Sequence, residues 1–152
     1  MHRARITTVG APGPRILIVD DDASIRGLVR VIAQRAGVLA DEASDGVHCL
    51  ELLDRNRYDL IVLDLAMPRL NGFDVVERLR SRIRRPAVIV LTALSRSAFL
   101  DLDSDVVHCV LRKPFDVELL MTLIVSTATG IYDWYRQSAP ADSAGDRADL
   151  AN

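Results

Sequence analysis

Apolar and polar positions along the chain fall into two kinds of block. Ile16-Leu17-Ile18-Val19, Leu60-Ile61-Val62-Leu63, Ala87 to Leu91 and Val106 to Leu111 are short runs dominated by apolar residues. Runs of that length without strict alternation predict strands buried on both faces. Val38 to Ala43 predicts a weaker strand. Between the runs, apolar residues recur every three or four positions, the period of an amphipathic helix. Ser24 to Ala36 carries Ile25, Leu28, Val29 and Ile32 at that spacing, and Gly37 ends it. Ser44-Asp45-Gly46 turns into a helix from Val47 to about Arg55, with Val47, Leu50 and Leu53 on one side. Gly72 to Ser81 predicts a third helix with Val75, Val76 and Leu79 inward, and Ser95 to Leu102 a short fourth one. Asp116 caps a last helix that runs to Thr129 or beyond. Gly130 either stops it or sits inside it at about 1 kcal/mol.

Strand and helix thus alternate five times. Continuous apolar strands in β–α units imply a parallel sheet sandwiched between helices, with right-handed crossovers. In such a fold the ligand site lies beyond the carboxyl ends of the strands, at a topological switch point. Polar residues that do chemistry should then stand just after strands.

They do. Asp20, Asp21 and Asp22 follow the first strand, Asp64 ends the third, Thr92 follows the fourth, and Lys113 follows the fifth. Crowded carboxylates repel by roughly 1 to 4 kcal/mol per pair at 4 Å. A hard divalent cation removes that penalty, and Mg²⁺ is satisfied by two carboxylates, a backbone carbonyl and waters. A carboxylate held beside such a cation and an ammonium group can attack phosphorus to give an acyl phosphate. Thr92 offers a hydroxyl to a phosphoryl oxygen.

Four ordered segments carry a resemblance: Ile16–Asp22 (ILIVDDD), Tyr58–Gly72 (YDLIVLDLAMPRLNG), Val88–Ala93 (VIVLTA) and Arg112–Phe115 (RKPF). With them the sequence resembles a response-regulator receiver domain of two-component signalling, over about residues 15–128. The resemblance implies a flavodoxin-like, doubly wound α/β fold with a five-stranded parallel sheet of order 2-1-3-4-5 and five helices. It implies Asp64 as phosphoacceptor, Asp21 and Asp20 as Mg²⁺ ligands with Asp64 and the Ala66 carbonyl, Thr92 and Lys113 on the phosphoryl group, and a cis Lys113-Pro114 bond. The implied donor is a histidine kinase or phosphotransfer protein, and the downstream target is a protein the sequence does not name.

The sequence also departs from the family. Val110 stands where members often carry an aromatic residue, and the 95–107 stretch looks one residue short. Neither Ala66 nor Leu94, each two residues beyond a site residue, can orient an attacking water. Self-dephosphorylation should therefore be slow. Ala66 also occupies the place where an aspartate-nucleophile phosphatase needs its acid/base Asp, so enzymatic turnover is not expected. The competing reading is a phosphorylation-independent receiver-fold adaptor or dimerisation module, which Val110 and the unusual 95–107 stretch favour.

Composition and charge narrow the class. Of 152 residues, 49% are hydrophobic and 26% charged, the balance of a globular protein. A domain of this size buries roughly two-thirds of its unfolded surface and needs no disulfide. Nineteen basic against 21 acidic residues give a net charge of −2, no electrostatic case for nucleic acid or an anionic membrane. Cys49 and Cys109 lack ligand spacing and read as buried reduced thiols. No apolar stretch suits a signal peptide or a membrane span, so the expected location is cytoplasmic. Residues 1–14 read as a flexible lead-in, 15–136 as the domain, and 137–152 as a disordered tail; the expectation is a receiver without an output domain, the alternative a piece of a longer regulator or hybrid kinase.

Three other features have plain readings. Asp101 to Asp105 resembles the start of an EF-hand loop, but Val106 and Arg112 stand where glycine and glutamate belong. His48 and His108 have no partner at metal-ligand spacing, and the arginines between Arg78 and Arg85 form a solvated face. On the last helix, Leu120, Ile124, Thr127 and Ile131 predict the inward stripe. Leu119, Leu123, Ile131, Trp134 and Tyr135 leave extra apolar surface for a partner or a homodimer, with packing of a frayed C-terminal extension as an equal contender.

Overall fold

The computed structural model describes residues 13–139. The elements are β1 (Arg15–Val19), α1 (Ala23–Arg35), β2 (Leu39–Ala43), α2 (Gly46–Arg55), β3 (Leu60–Leu63), α3 (Gly72–Leu79), β4 (Ala87–Thr92), a 3₁₀ turn (Arg96–Phe99), β5 (Val107–Arg112) and α4 (Val117–Ser138). The five strands are all parallel, in the order β2-β1-β3-β4-β5. This is the doubly wound α/β sheet, with its reversal of strand order beside β1 and β3.

Period-two side-chain alternation divides the core. Leu17, Val19, Ile61, Leu63, Val88 and Val90 face α2 and α3, against Cys49, Leu53, Val75, Val76 and Leu79. Ile16, Ile18, Leu60, Val62, Ile89 and Leu91 face α1 and α4, against Val29, Ile32, Ala33, Leu120, Ile124 and Ala128. Strands β3 and β4 are buried at every position, which is why they read as unbroken apolar runs.

The structure differs from the sequence reading in four places. The helix predicted over Ser95 to Leu102 is one 3₁₀ turn, so among the described residues four α-helices surround the sheet rather than five. Ser95 makes no capping bond to that turn's backbone, and a segment this short does not offset the cost of helix nucleation alone. On α1, Leu28 is 40% exposed while Ala33 is buried. On α4 the inward stripe passes through Ala128, with Thr127 only partly covered. In both helices a small side chain, Ala33 or Ala128, takes the fully buried place, where it allows the helix to approach the sheet closely. Cys49 is buried and its thiol is pushed up to about 12 by burial, whereas Cys109 is only half-buried.

Gly130 lies inside α4, which continues through residues 137 and 138. The proposed lead-in and tail fall mostly on residues 1–12 and 140–152, outside the described residues. No helix among the described residues is long and apolar enough to cross a membrane.

Candidate functional site

Polarity appears where the strands end. Asp20 follows β1 and its backbone N–H donates to the Ala43 carbonyl at 3.2 Å, continuing the ladder by one residue. Its own carbonyl accepts from Arg26 Nη1 at 2.7 Å, so a side chain of α1 holds the turn. Asp20 Oδ1 accepts the Asp22 N–H at 2.9 Å, and Asp22 Oδ1 accepts the Ser24 N–H at 2.8 Å as the N-cap of α1. The three consecutive aspartates are thereby sorted. Asp20 is buried, Asp21 is exposed at the mouth, and Asp22 caps a helix.

Asp64 follows β3, the neighbour of β1, with its N–H on the Val19 carbonyl at 2.8 Å. That pairing brings two residues 44 positions apart to adjacent strand ends. Carboxylate oxygens of Asp20, Asp21 and Asp64 lie within 4.8 Å of one another. Lys113, after β5, reaches across with Nζ 2.8 Å from Asp20 Oδ2 and 3.8 Å from Asp64 Oδ2. Its N–H donates to the Thr92 carbonyl at 2.8 Å, and the Lys113-Pro114 bond is cis. Thr92 is fully buried at the end of β4. Its Oγ1 accepts the Leu94 N–H at 3.1 Å, and among the described residues no acceptor engages its O–H.

Electrostatics follow from this crowding. Asp64 is pushed up to about 6, first by burial and then by the charge of Asp20. Lys113 and the Ala66 N–H, 3.3 Å from Asp64 Oδ1, pull the other way. One ammonium group against three carboxylates leaves excess negative charge built from hard oxygen donors. A hard divalent cation such as Mg²⁺ fits that donor set.

The loop between β3 and α3 is shaped by close backbone contact. Gly72 donates its N–H to the Leu65 carbonyl at 3.0 Å, and a Cβ there would lie 2.7 Å from Leu65 Cα. Across the loop, Arg69 pairs with Asp45, the N-cap of α2. The Asp45 carboxyl lies below the usual carboxylate range, chiefly through the His48 N–H, with Arg69 assisting against burial.

All five side chains picked out by the sequence, Asp20, Asp21, Asp64, Thr92 and Lys113, stand at this one edge of the sheet. Sequence reasoning missed Arg26, Asp45 and Arg69. The only signal for them was the aspartate at a helix start, which reads equally well as a plain cap.

The model of the family described as response regulator receiver domain matches residues 16–125. Response regulator MprA of Mycobacterium sp. strain KMS is 41% identical over 111 residues, 70% of this chain and 47% of MprA. The DNA-binding dual master transcriptional regulator RpaA of Synechocystis sp. is 40% identical over 116 residues, 73% of this chain and 47% of RpaA. The chain therefore spans about half the length of these curated relatives. Among solved structures, the response regulator TrrA of Thermotoga maritima, in complex with Mg²⁺ and BeF, matches with a TM-score of 0.67. It is 31% identical, over 75% of this chain and 98% of that one.

Proposed function

The chain belongs to the response regulator receiver domain family, and from that premise we propose that Asp64 accepts a phosphoryl group from a histidine kinase or a phosphotransfer protein. The observation that carries the reading is the convergence of Asp20, Asp21, Asp64 and Lys113 from the ends of three strands. In the step, an Asp64 carboxylate oxygen bonds to phosphorus as the bond from phosphorus to the donor breaks. Asp20, Asp21, Asp64 and the Ala66 carbonyl would hold Mg²⁺, which when bound would neutralise charge on the transferring group. Lys113 stands where its ammonium group can exchange Asp20 for a phosphoryl oxygen, and the Thr92 O–H is available to donate to another.

Signalling then proceeds through a changed surface that an unnamed protein target reads. We keep the expectation that this domain engages proteins rather than nucleic acid, on its net charge of −2. DNA binding is named for RpaA, a protein of about twice the matched length. A cytoplasmic location accords with a phosphorylated-histidine donor. Ala66 and Leu94 bring no polar group to an attacking water, so spontaneous loss of the phosphoryl group is slow.

Intact-mass measurement after incubation with acetyl phosphate and Mg²⁺ tests the assignment. Wild type should gain one phosphoryl group and Asp64→Asn none. An adduct that persists in Asp64→Asn moves the acceptor elsewhere. No adduct on wild type leaves the adaptor reading, which the half-buried Val110 beside the 3₁₀ turn favours.

A further inference from the structure

We propose that Asp45 and Arg69 form a positioning clamp that holds the β3–α3 loop, and with it the Ala66 carbonyl, in the shape the cation site uses. The inference rests on the Mg²⁺ site proposed above and assigns the residues that preorganise it.

The loop from Asp64 to Asn71 is attached at three points. Its root is the Gly72 N–H on the Leu65 carbonyl, in a space that admits no Cβ. Midway, the Met67 side chain is 9% exposed and packs into the core against α2 and α3. At the tip, Arg69 Nε donates to Asp45 Oδ2 at 3.0 Å and Nη2 engages the same oxygen. Beside it, the Gly46 N–H donates to the Leu70 carbonyl at 3.0 Å, and a Cβ on Gly46 would collide with that carbonyl. Ala66 sits between root and tip, and its own N–H makes only a 3.3 Å bond to Asp64 Oδ1. Its carbonyl direction is therefore set by how the two ends are held.

The choice of residue at 69 argues for a task beyond stability. Arg69 is the one described non-glycine residue with positive φ, at 64°. That region disfavours any residue with a Cβ, and glycine or asparagine would fill it more easily. The arginine keeps the strained backbone and gains the bond to Asp45. Its side chain is 62% exposed, so it plugs no cavity. Asp45 is buried, its second oxygen accepts the His48 N–H at 2.9 Å, and so one carboxylate both caps α2 and holds the loop. Ordinary exposed ion pairs contribute little; this one has a buried partner and two donors on one oxygen.

Two variants cut the clamp from opposite sides. Arg69→Asn tolerates the left-handed backbone while removing the guanidinium, and Asp45→Asn keeps an equally good helix cap while removing the charge. Mg²⁺ affinity is read by titration calorimetry, thermal stability by melting, and amide exchange at Gly46 in metal-free protein. Both variants should bind Mg²⁺ roughly tenfold more weakly, the scale on which residues supporting metal ligands act. Gly46 exchange should speed up in both, and Arg69→Lys should recover part of the affinity. Wild-type Mg²⁺ affinity in both variants, with binding abolished in Asp64→Asn, overturns the clamp. Wild-type affinity in Asp64→Asn overturns the metal-site reading beneath it instead.

Discussion

Asp64 carries its intended charge reluctantly, and that has a measurable consequence. Burial and the neighbouring Asp20 raise its carboxyl to about 6, above an unfolded value near 4. The folded state therefore holds the Asp64 proton more tightly than the unfolded chain does. Its contribution is fully present below about pH 4 and is lost as pH rises towards about 6. In metal-free protein, Asp64→Asn should be more stable than wild type by up to about 3 kcal/mol at neutral pH. The advantage should vanish towards about pH 4, as read by urea unfolding across pH. Mg²⁺ should close the gap from the wild-type side by relieving the same repulsion. A gap that does not change with pH would mean that Asp64 is not the strained carboxyl. Lys113 acts oppositely, because its ammonium group is the only cation bonded to the buried Asp20 carboxylate among the described residues. Lys113→Ala should lower metal-free stability by about 3 kcal/mol, since it leaves buried carboxylates uncompensated. Added Mg²⁺ should restore part of that loss.

Glycines look alike in a sequence, yet their elements give them opposite consequences. Gly130 is exposed within α4, and a Cβ there meets nothing within 4 Å. Gly130→Ala should stabilise the protein by about 1 kcal/mol, or about 3 °C in melting temperature. At Gly72 the added carbon would meet the backbone of Asp64 and Leu65. Gly72→Ala should destabilise by about 3 kcal/mol, with loss of the loop's shape. Strands β1, β3 and β4 were legible because burial on both faces leaves no room for polar residues. Helix faces were legible to within one position, and that position mattered at Leu28 and at Ala128. The bulge at His108 was not legible. Val88 pairs with Val107 and Ile89 with Cys109, and such a skip depends on the neighbouring strand rather than on local propensity.

Across the whole molecule, the fold serves to gather charge at one edge of the sheet. On the proposed function, signalling turns on how long a phosphoryl group placed there survives. The Ala66 side chain is exposed and carries no polar atom, so Ala66→Asn should shorten the lifetime of the adduct. The measurement is the decay of the phosphorylated mass after removal of acetyl phosphate, and an unchanged decay would mean that water is oriented elsewhere. The sequence alone determined the α/β alternation and the chemical type of the site. Each β–α unit is local, and the switch from apolar strand to acid, hydroxyl or ammonium is visible residue by residue. Only the tertiary structure decided how the acids divide their work, and that Arg26 grips Asp20 while Arg69 grips Asp45. Those contacts join residues from different β–α units, and which units become neighbours is set by packing the sheet, not by any stretch of chain.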